Sequence, residues 1–116
     1  MNVDWERINS FITEDDPEEL AWLKDMIVSL IGNYEERLAE LDAIAISKNN
    51  ADLTSLLHQM KGLVANFGLE AIRSITIEAE TLSKENKFEE SIAMTTKIRP
   101  VWVQTKKELA DKFELT

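Results

Sequence analysis

Cysteine is absent from the 116-residue sequence, and histidine occurs once, at position 58. Without cysteine the chain can form neither a disulfide nor a thiolate metal site, and one imidazole cannot supply the usual ligands of a zinc site. We therefore expect no bound metal and no cofactor. The absence of cysteine is compatible with a reducing compartment, and we expect a cytoplasmic protein.

Glycine and proline are also scarce, with three and two residues. A β-rich fold needs more of both for its turns, so the composition favours an all-α fold. No stretch approaches the roughly 18 apolar residues of a membrane span, and the first residues lack a basic and apolar leader. We expect no membrane segment, no secretion signal and a single domain over residues 1–116.

The charge is unbalanced, because 22 acidic residues face 13 basic ones and give a net charge of −9. Such a surface repels a phosphate backbone, which argues against a nucleic-acid partner. The glycines at positions 32, 62 and 68 are scattered and form no loop that could hold nucleotide phosphates. The acidic run at 14–16 lacks the alternating ligands and central glycine of a calcium loop, and helix capping explains it better.

Apolar residues at helical spacing predict a short first helix at about residues 4–12 and four longer helices. Asp16 as the N-cap and Pro17 as the first helical residue mark the start of the longest helix, which continues to about Ile46. The other predicted helices span residues 50–67, 70–85 and 88–113, with a break in the last one between Thr96 and Pro100. These helices predict an antiparallel up-down-up-down four-helix bundle with an additional short N-terminal helix.

Two features of the longest helix have alternative explanations. Trp22, Met26 and Ile46 lie at the edges of its apolar stripe, and we assign them to the core rather than to a docking surface. Gly32 lies within the same helix, and we interpret it as a close contact between helices.

The only histidine lies on the polar side of its helix. The apolar residues from Leu53 to Phe67 form one stripe, and His58 points about 160° away from its centre. Lys61 follows one turn later, and Gly62, a residue type that costs about 1 kcal/mol within a helix, lies beside it. Gly68 can adopt the left-handed conformation that ends a helix. The residues around His58 on this face are Thr54, Gln59, Gly62, Ala65 and Leu69.

This arrangement suits phosphoryl chemistry. Imidazole can accept and release a phosphoryl group, Lys61 can neutralise its charge, and Gly62 leaves space for a partner to approach. A hydrolytic site is not indicated, because Ser55 and Ser74 lack a base and orienting group arranged with His58.

The residues His58, Lys61, Gly62, Ala65 and Gly68 resemble the pattern of the histidine-containing phosphotransfer (HPt) domain family. The family has histidine, then lysine at +3, glycine at +4, a small residue at +7 and glycine at +10. The resemblance extends over roughly residues 15–82 and includes the helix start at Asp16 and Pro17.

The resemblance implies a phosphocarrier that is not an autonomous enzyme. Its histidine would carry the phosphoryl group on Nε2, receive it from a receiver-domain aspartate or a hybrid histidine kinase, and pass it to another receiver. The receiver would supply Mg²⁺. We expect a monomer whose partner surface includes Thr54, Gln59, Ala65 and Leu69.

The sequence departs from the family pattern at Leu57, Leu63 and Val64, where small residues are usual. Two alternatives remain open at this stage. One is a helical docking or adaptor module in which His58 is not phosphorylated. The other is the dimeric helix pair of a histidine kinase, although its histidine is typically followed by an acidic residue and then a proline.

Overall fold

The computed structural model describes residues 3–10 and 17–113, and all regular elements in these ranges are α-helices. Asp16, the predicted N-cap of the longest helix, lies outside the described residues, whereas Pro17 is the first residue of that helix as predicted. The helices are α1 (Trp5–Asn9), α2 (Pro17–Ser47), α3 (Asn50–Asn66), α4 (Glu70–Lys84), α5 (Phe88–Thr95) and α6 (Ile98–Phe113).

The long helices pack as the predicted four-helix bundle. Helix α2 contacts α3, α3 contacts α4, α4 contacts α5 and α6, and α6 returns to contact α2. The α3–α4 edge and the α2–α6 edge therefore lie on opposite sides of the bundle. One apolar core runs through it, with Leu57, Ile72, Ile98 and Leu109 completely buried.

The short helix α1 closes the end of the bundle at which α3 stops. Ile8 is buried in the core, the Asp4 N–H donates to the carbonyl of Gly68 at 2.7 Å, and Arg7 Nε donates to the carbonyl of Asn66 at 3.1 Å. Gly68 has a φ of +66°, and a Cβ there would lie 2.7 Å from the Cβ of Asp4. Glycine is therefore required both for the left-handed conformation, which was predicted, and for the contact with α1.

The beginning of α3 is fixed by a side-chain cap. Asn49 accepts a hydrogen bond from the Asp52 N–H through Oδ1 at 3.1 Å. The preceding residue, Lys48, has a φ of +59° and reverses the chain after α2. This tight connection makes α2 and α3 antiparallel neighbours.

The predicted break in the last helix is confirmed. Helix α5 ends at Thr95 and α6 begins at Ile98, with Thr96 and Lys97 between them. Pro100 lies in the first turn of α6, where its missing N–H removes no intrahelical hydrogen bond. The helix therefore restarts just before the proline.

Two predictions for α2 are wrong. Trp22 is 51% exposed and Ile46 is 83% exposed, so neither belongs to the core, whereas Met26 is half-buried. A Cβ on Gly32 would meet nothing within 4 Å, so this glycine makes no close helix contact among the described residues. Trp22, Gly32 and Ile46 therefore lie on the exposed side of α2.

Candidate functional site

His58 lies in the middle of α3 and faces solvent. Its side chain is 72% exposed, although Leu57 directly before it and Met60 two residues after it belong to a buried stripe. Leu57 and Met60 are completely buried and fix the rotation of the helix. The apolar stripe therefore places the imidazole on the outside, as the sequence predicts.

The surface next to His58 is open. A Cβ on Gly62 would meet nothing within 4 Å, so this glycine leaves free space one turn along the helix. Gln59 is exposed and Ala65 is half-buried. These three residues form a shallow surface around the imidazole.

Leu69 does not belong to this surface, although the sequence analysis placed it there. Its side chain is completely buried. Helix α3 ends at Asn66, and the left-handed turn at Gly68 redirects the chain, so the helical periodicity cannot be extended to residue 69. Leu69 instead precedes α4 and packs into the core.

A buried carboxylate on the neighbouring helix holds the imidazole. Glu80 on α4 has a side chain only 5% exposed, and its Oε2 lies 3.2 Å from His58 Nδ1. Its Oε1 accepts a hydrogen bond from Lys61 Nζ at 2.6 Å and lies 3.8 Å from Lys84 Nζ. One acidic group thus links the histidine and two lysines.

The environment keeps this carboxylate ionised at neutral pH. Burial by itself raises the pKa of Glu80, but the hydrogen bond and charge of Lys61 lower it, together with the His58 hydrogen bond and the charge of Lys84. The net result is a pKa below the usual 4.5. Glu80 is therefore an anion and an acceptor in the native protein.

The hydrogen bond to an ionised carboxylate selects the tautomer of His58. A carboxylate only accepts, so the ring nitrogen facing it must carry the proton. In the neutral imidazole this leaves the lone pair on Nε2. The arrangement therefore assigns Nδ1 the role of donor and Nε2 the role of nucleophile.

A second polar cluster aligns α3 with α4. The hydroxyl groups of Thr54 and Ser83 share a hydrogen bond. Asn50 Nδ2 donates to the Ser83 carbonyl at 2.9 Å, and Ser83 Oγ donates to Asn50 Oδ1 at 3.0 Å. Thr54, which the sequence analysis placed on the partner surface, is half-buried and its hydroxyl is used inside the protein. These contacts fix the register that brings Glu80 next to His58.

Sequence reasoning missed Glu80, which is 22 residues from His58 along the chain. One signal could have indicated it. Glu80 lies four residues after Thr76 and three before Ser83, and these two positions belong to the buried side of α4. A carboxylate on an inward-facing stripe requires a cationic or donor partner, and Lys61 and His58 are such groups on a neighbouring helix.

The ion pairs of Glu80 predict a pH dependence of stability. Its pKa is lower in the folded than in the unfolded chain, so its ionisation stabilises the fold above pH 4.5, and this contribution is lost as the pH falls through the lowered pKa. We expect urea unfolding at about pH 7 and about pH 3 to show a smaller acid-induced loss for Glu80→Gln than for the original protein. Equal losses would contradict this assignment.

Residues 3–10 and 17–113 contain no group of three or more histidine, cysteine, aspartate or glutamate side chains that could hold a metal ion. None of the helices in these ranges is both long and apolar enough to cross a membrane.

The fold and the site define a helical bundle that presents one exposed, oriented imidazole. The chain matches the family model of the Hpt domain over residues 25–111, and it belongs to this family. The family consists of phosphocarriers, not kinases, that act in two-component signalling with receiver domains and histidine kinases. No curated protein and no solved structure matched the chain.

Proposed function

We propose that His58 carries a phosphoryl group between partner proteins of a multistep phosphorelay. The group arrives from a receiver-domain aspartate or a histidine kinase and leaves to the aspartate of another receiver. The observation that best supports this function is the exposed imidazole whose Nδ1 contacts a buried, ionised carboxylate. This contact presents Nε2 as the nucleophile.

The carboxylate of Glu80 assists the transfer. During the reaction an Nε2–P bond forms while the P–O bond to the aspartate breaks, and the aspartate leaves as a carboxylate. The imidazole ring gains positive charge as its lone pair is donated. Glu80 stabilises this charge across the Nδ1–H hydrogen bond, and the reverse transfer uses the same contact.

Lys61 can serve both the carboxylate and the phosphoryl group. A phosphoryl group adds about two negative charges, so a neighbouring cation stabilises it. One N–H of Lys61 donates to Glu80, and an ammonium group has three donors. Lys84 lies 3.8 Å from the same Glu80 oxygen and neutralises part of its charge when Lys61 turns towards the phosphoryl group.

A groove between α2 and α3 extends the partner surface. It has a volume of about 320 Å³ and is lined by Trp22, Met26, Leu63 and Phe67, among other residues. Leu63, one of the departures from the family pattern, is half-buried, lines this groove and packs against the core, whereas Leu57 and Val64 are completely buried. We propose that an apolar side chain of the receiver enters the groove while its aspartate approaches His58 over Gly62.

Substitution of Glu80 tests the assistance by the carboxylate. Glu80→Leu should slow phosphoryl transfer roughly ten- to a hundred-fold, because Nδ1 loses its acceptor and a hydrogen bond to a charged group contributes about 1.5–3 kcal/mol. Glu80→Gln keeps an acceptor oxygen and should recover part of the rate. The measurement is the single-turnover rate of transfer from a phosphorylated receiver at saturating concentration.

The outcome separates the orienting hydrogen bond of Glu80 from its negative charge. If both variants transfer at the original rate, Glu80 does not orient the imidazole. If Glu80→Gln is as slow as Glu80→Leu while both remain folded by circular dichroism, the negative charge is required as well as the acceptor.

The function itself is tested by transfer from a panel of purified receiver domains of the same genome. Each receiver is phosphorylated, mixed with this protein and Mg²⁺, and the label on each protein is followed over time. We expect at least one receiver to lose its label to this protein. No transfer from any receiver or histidine kinase would contradict the proposal.

A further inference from the structure

The α2–α6 edge of the bundle has features of a second interaction surface. A groove of about 290 Å³ runs along it between Ala39 on α2 and Val103 on α6, with Trp102 among its lining residues. Val103 is 66% exposed and borders this groove. This edge lies opposite the α3–α4 edge that contains the His58 site.

Both ends of the groove are bounded by ion pairs with the same polarity. Asp42 on α2 lies 2.6 Å from Arg99 on α6, and Glu35 on α2 lies 2.9 Å from Lys106 on α6. The acids are on α2 and the bases on α6, and the two pairs have no net charge. In a chain with a net charge of −9, this neutral region is suited to contact another copy of the same protein.

We propose that two copies of this chain associate face to face through the α2–α6 edge. If the two-fold axis runs along the groove, parallel to the helices, α2 of each copy packs on α6 of the other. Each residue then keeps its position along the axis, so equivalent ends of the two grooves lie together. Val103 of one copy then meets Ala39 of the other. A two-fold axis across the helices would instead place α2 on α2 and bring acids against acids, so the charge pattern favours the first arrangement.

The same axis converts each ion pair into a ring of four charges. Asp42 and Arg99 of one copy alternate in sign with those of the other, and Glu35 and Lys106 form a second ring. Glu36 and Lys107 are exposed and have no ion pair within residues 3–10 and 17–113. They lie on α2 and α6 near the Glu35–Lys106 pair, so the axis brings Glu36 of one copy towards Lys107 of the other.

The proposed dimer leaves both copies of His58 on outward-facing edges, so phosphoryl transfer can continue. It differs from the monomer that the sequence analysis expects. The apolar contact is small, and interfaces below about 1,200 Å² are typically weak. We therefore expect dissociation constants between about 10 µM and about 1 mM.

Sedimentation equilibrium tests the surface. From about 10 µM to about 1 mM, the average mass should rise from 13.3 kDa towards twice that value. Val103→Glu should remain at the monomer mass, whereas the control Trp22→Glu, which changes an exposed apolar residue on another edge, should associate like the original protein. A constant monomer mass for the original protein, or unchanged association of Val103→Glu, would overturn the proposal.

A mixing experiment tests the axis. The proposed dimer contains the contact between Glu36 and Lys107 twice. Glu36→Lys alone places two positive charges in each contact, and Lys107→Glu alone places two negative charges there. Each variant should therefore associate several-fold more weakly. An equimolar mixture restores opposite charges in both contacts and should associate about as well as the original protein. If the mixture associates no better than the separate variants, the proposed pairing is wrong.

Val103→Glu should retain phosphoryl transfer at about 1 µM, so failure of the dimer and failure of the relay function are distinguishable.

Discussion

His58→Gln is expected to abolish acceptance of a phosphoryl group, with a loss of at least about 10³-fold. Glutamine has no ring nitrogen that can form an N–P bond. The fold should remain intact, because the histidine side chain is 72% exposed and packs little against the core. The loss would therefore be chemical and not a consequence of unfolding.

The measurement compares both proteins with the same phosphorylated receiver. The label on His58→Gln should stay at background, while its thermal unfolding and its binding to the receiver stay close to those of the original protein. Gln59→Asn serves as a matched control, because it changes an exposed neighbouring side chain and should still accept the phosphoryl group. Label on the His58→Gln protein would place the acceptor elsewhere.

Gly62→Gln should have opposite effects on stability and on transfer. Nothing lies within 4 Å of a Cβ at this position, so the new side chain fits without strain, and replacing a mid-helix glycine stabilises the helix by up to about 1 kcal/mol. The same side chain occupies the space through which the receiver approaches His58. We expect transfer to fall by roughly a hundred-fold, since a displacement of about 1 Å in the reacting groups can have this effect.

Gly32 provides a matched control for this substitution. It is also an exposed glycine within a helix, and a Cβ there also meets nothing within 4 Å. Gly32→Gln should therefore raise stability by a similar amount and leave transfer unchanged. If Gly62→Gln transfers as fast as Gly32→Gln, open space at position 62 is not needed for the partner.

The local part of the site could be predicted from the sequence. His58, Lys61 and Gly62 are within one helical turn, so the period of the helix determines their relation once the apolar stripe is known. The start of α2 at Pro17 and the break before Pro100 were also predictable, because a proline acts through local geometry at both positions.

The remaining part depends on contacts between helices. Glu80 is placed by the register of α4 against α3, which the Thr54–Ser83 hydrogen bond helps to fix. That register cannot be derived from the periodicity of either helix alone. The prediction for Leu69 failed for a related reason, because the helical period was extended through the turn at Gly68, where the chain changes direction.

Exposed apolar residues were the other source of error. Trp22 is next to the buried Leu23 and Ile46 follows the half-buried Ala45, so a small error in the predicted width of the buried face of α2 changes their assignment. The structure places Trp22 at the α2–α3 groove and leaves Ile46 in solvent. Exposed aromatic side chains of this kind frequently anchor partners, which agrees with the role proposed for the groove.

The most direct test of the central claim is to locate the phosphoryl group after transfer from a phosphorylated receiver in the presence of Mg²⁺. Mass spectrometry and phosphorus NMR of the original protein should show one acid-labile, base-stable phosphoryl group, attached to Nε2 of His58. Attachment to Nδ1 would contradict the tautomer that Glu80 selects. A phosphoryl group on any other residue would contradict the assignment of His58 as the carrier.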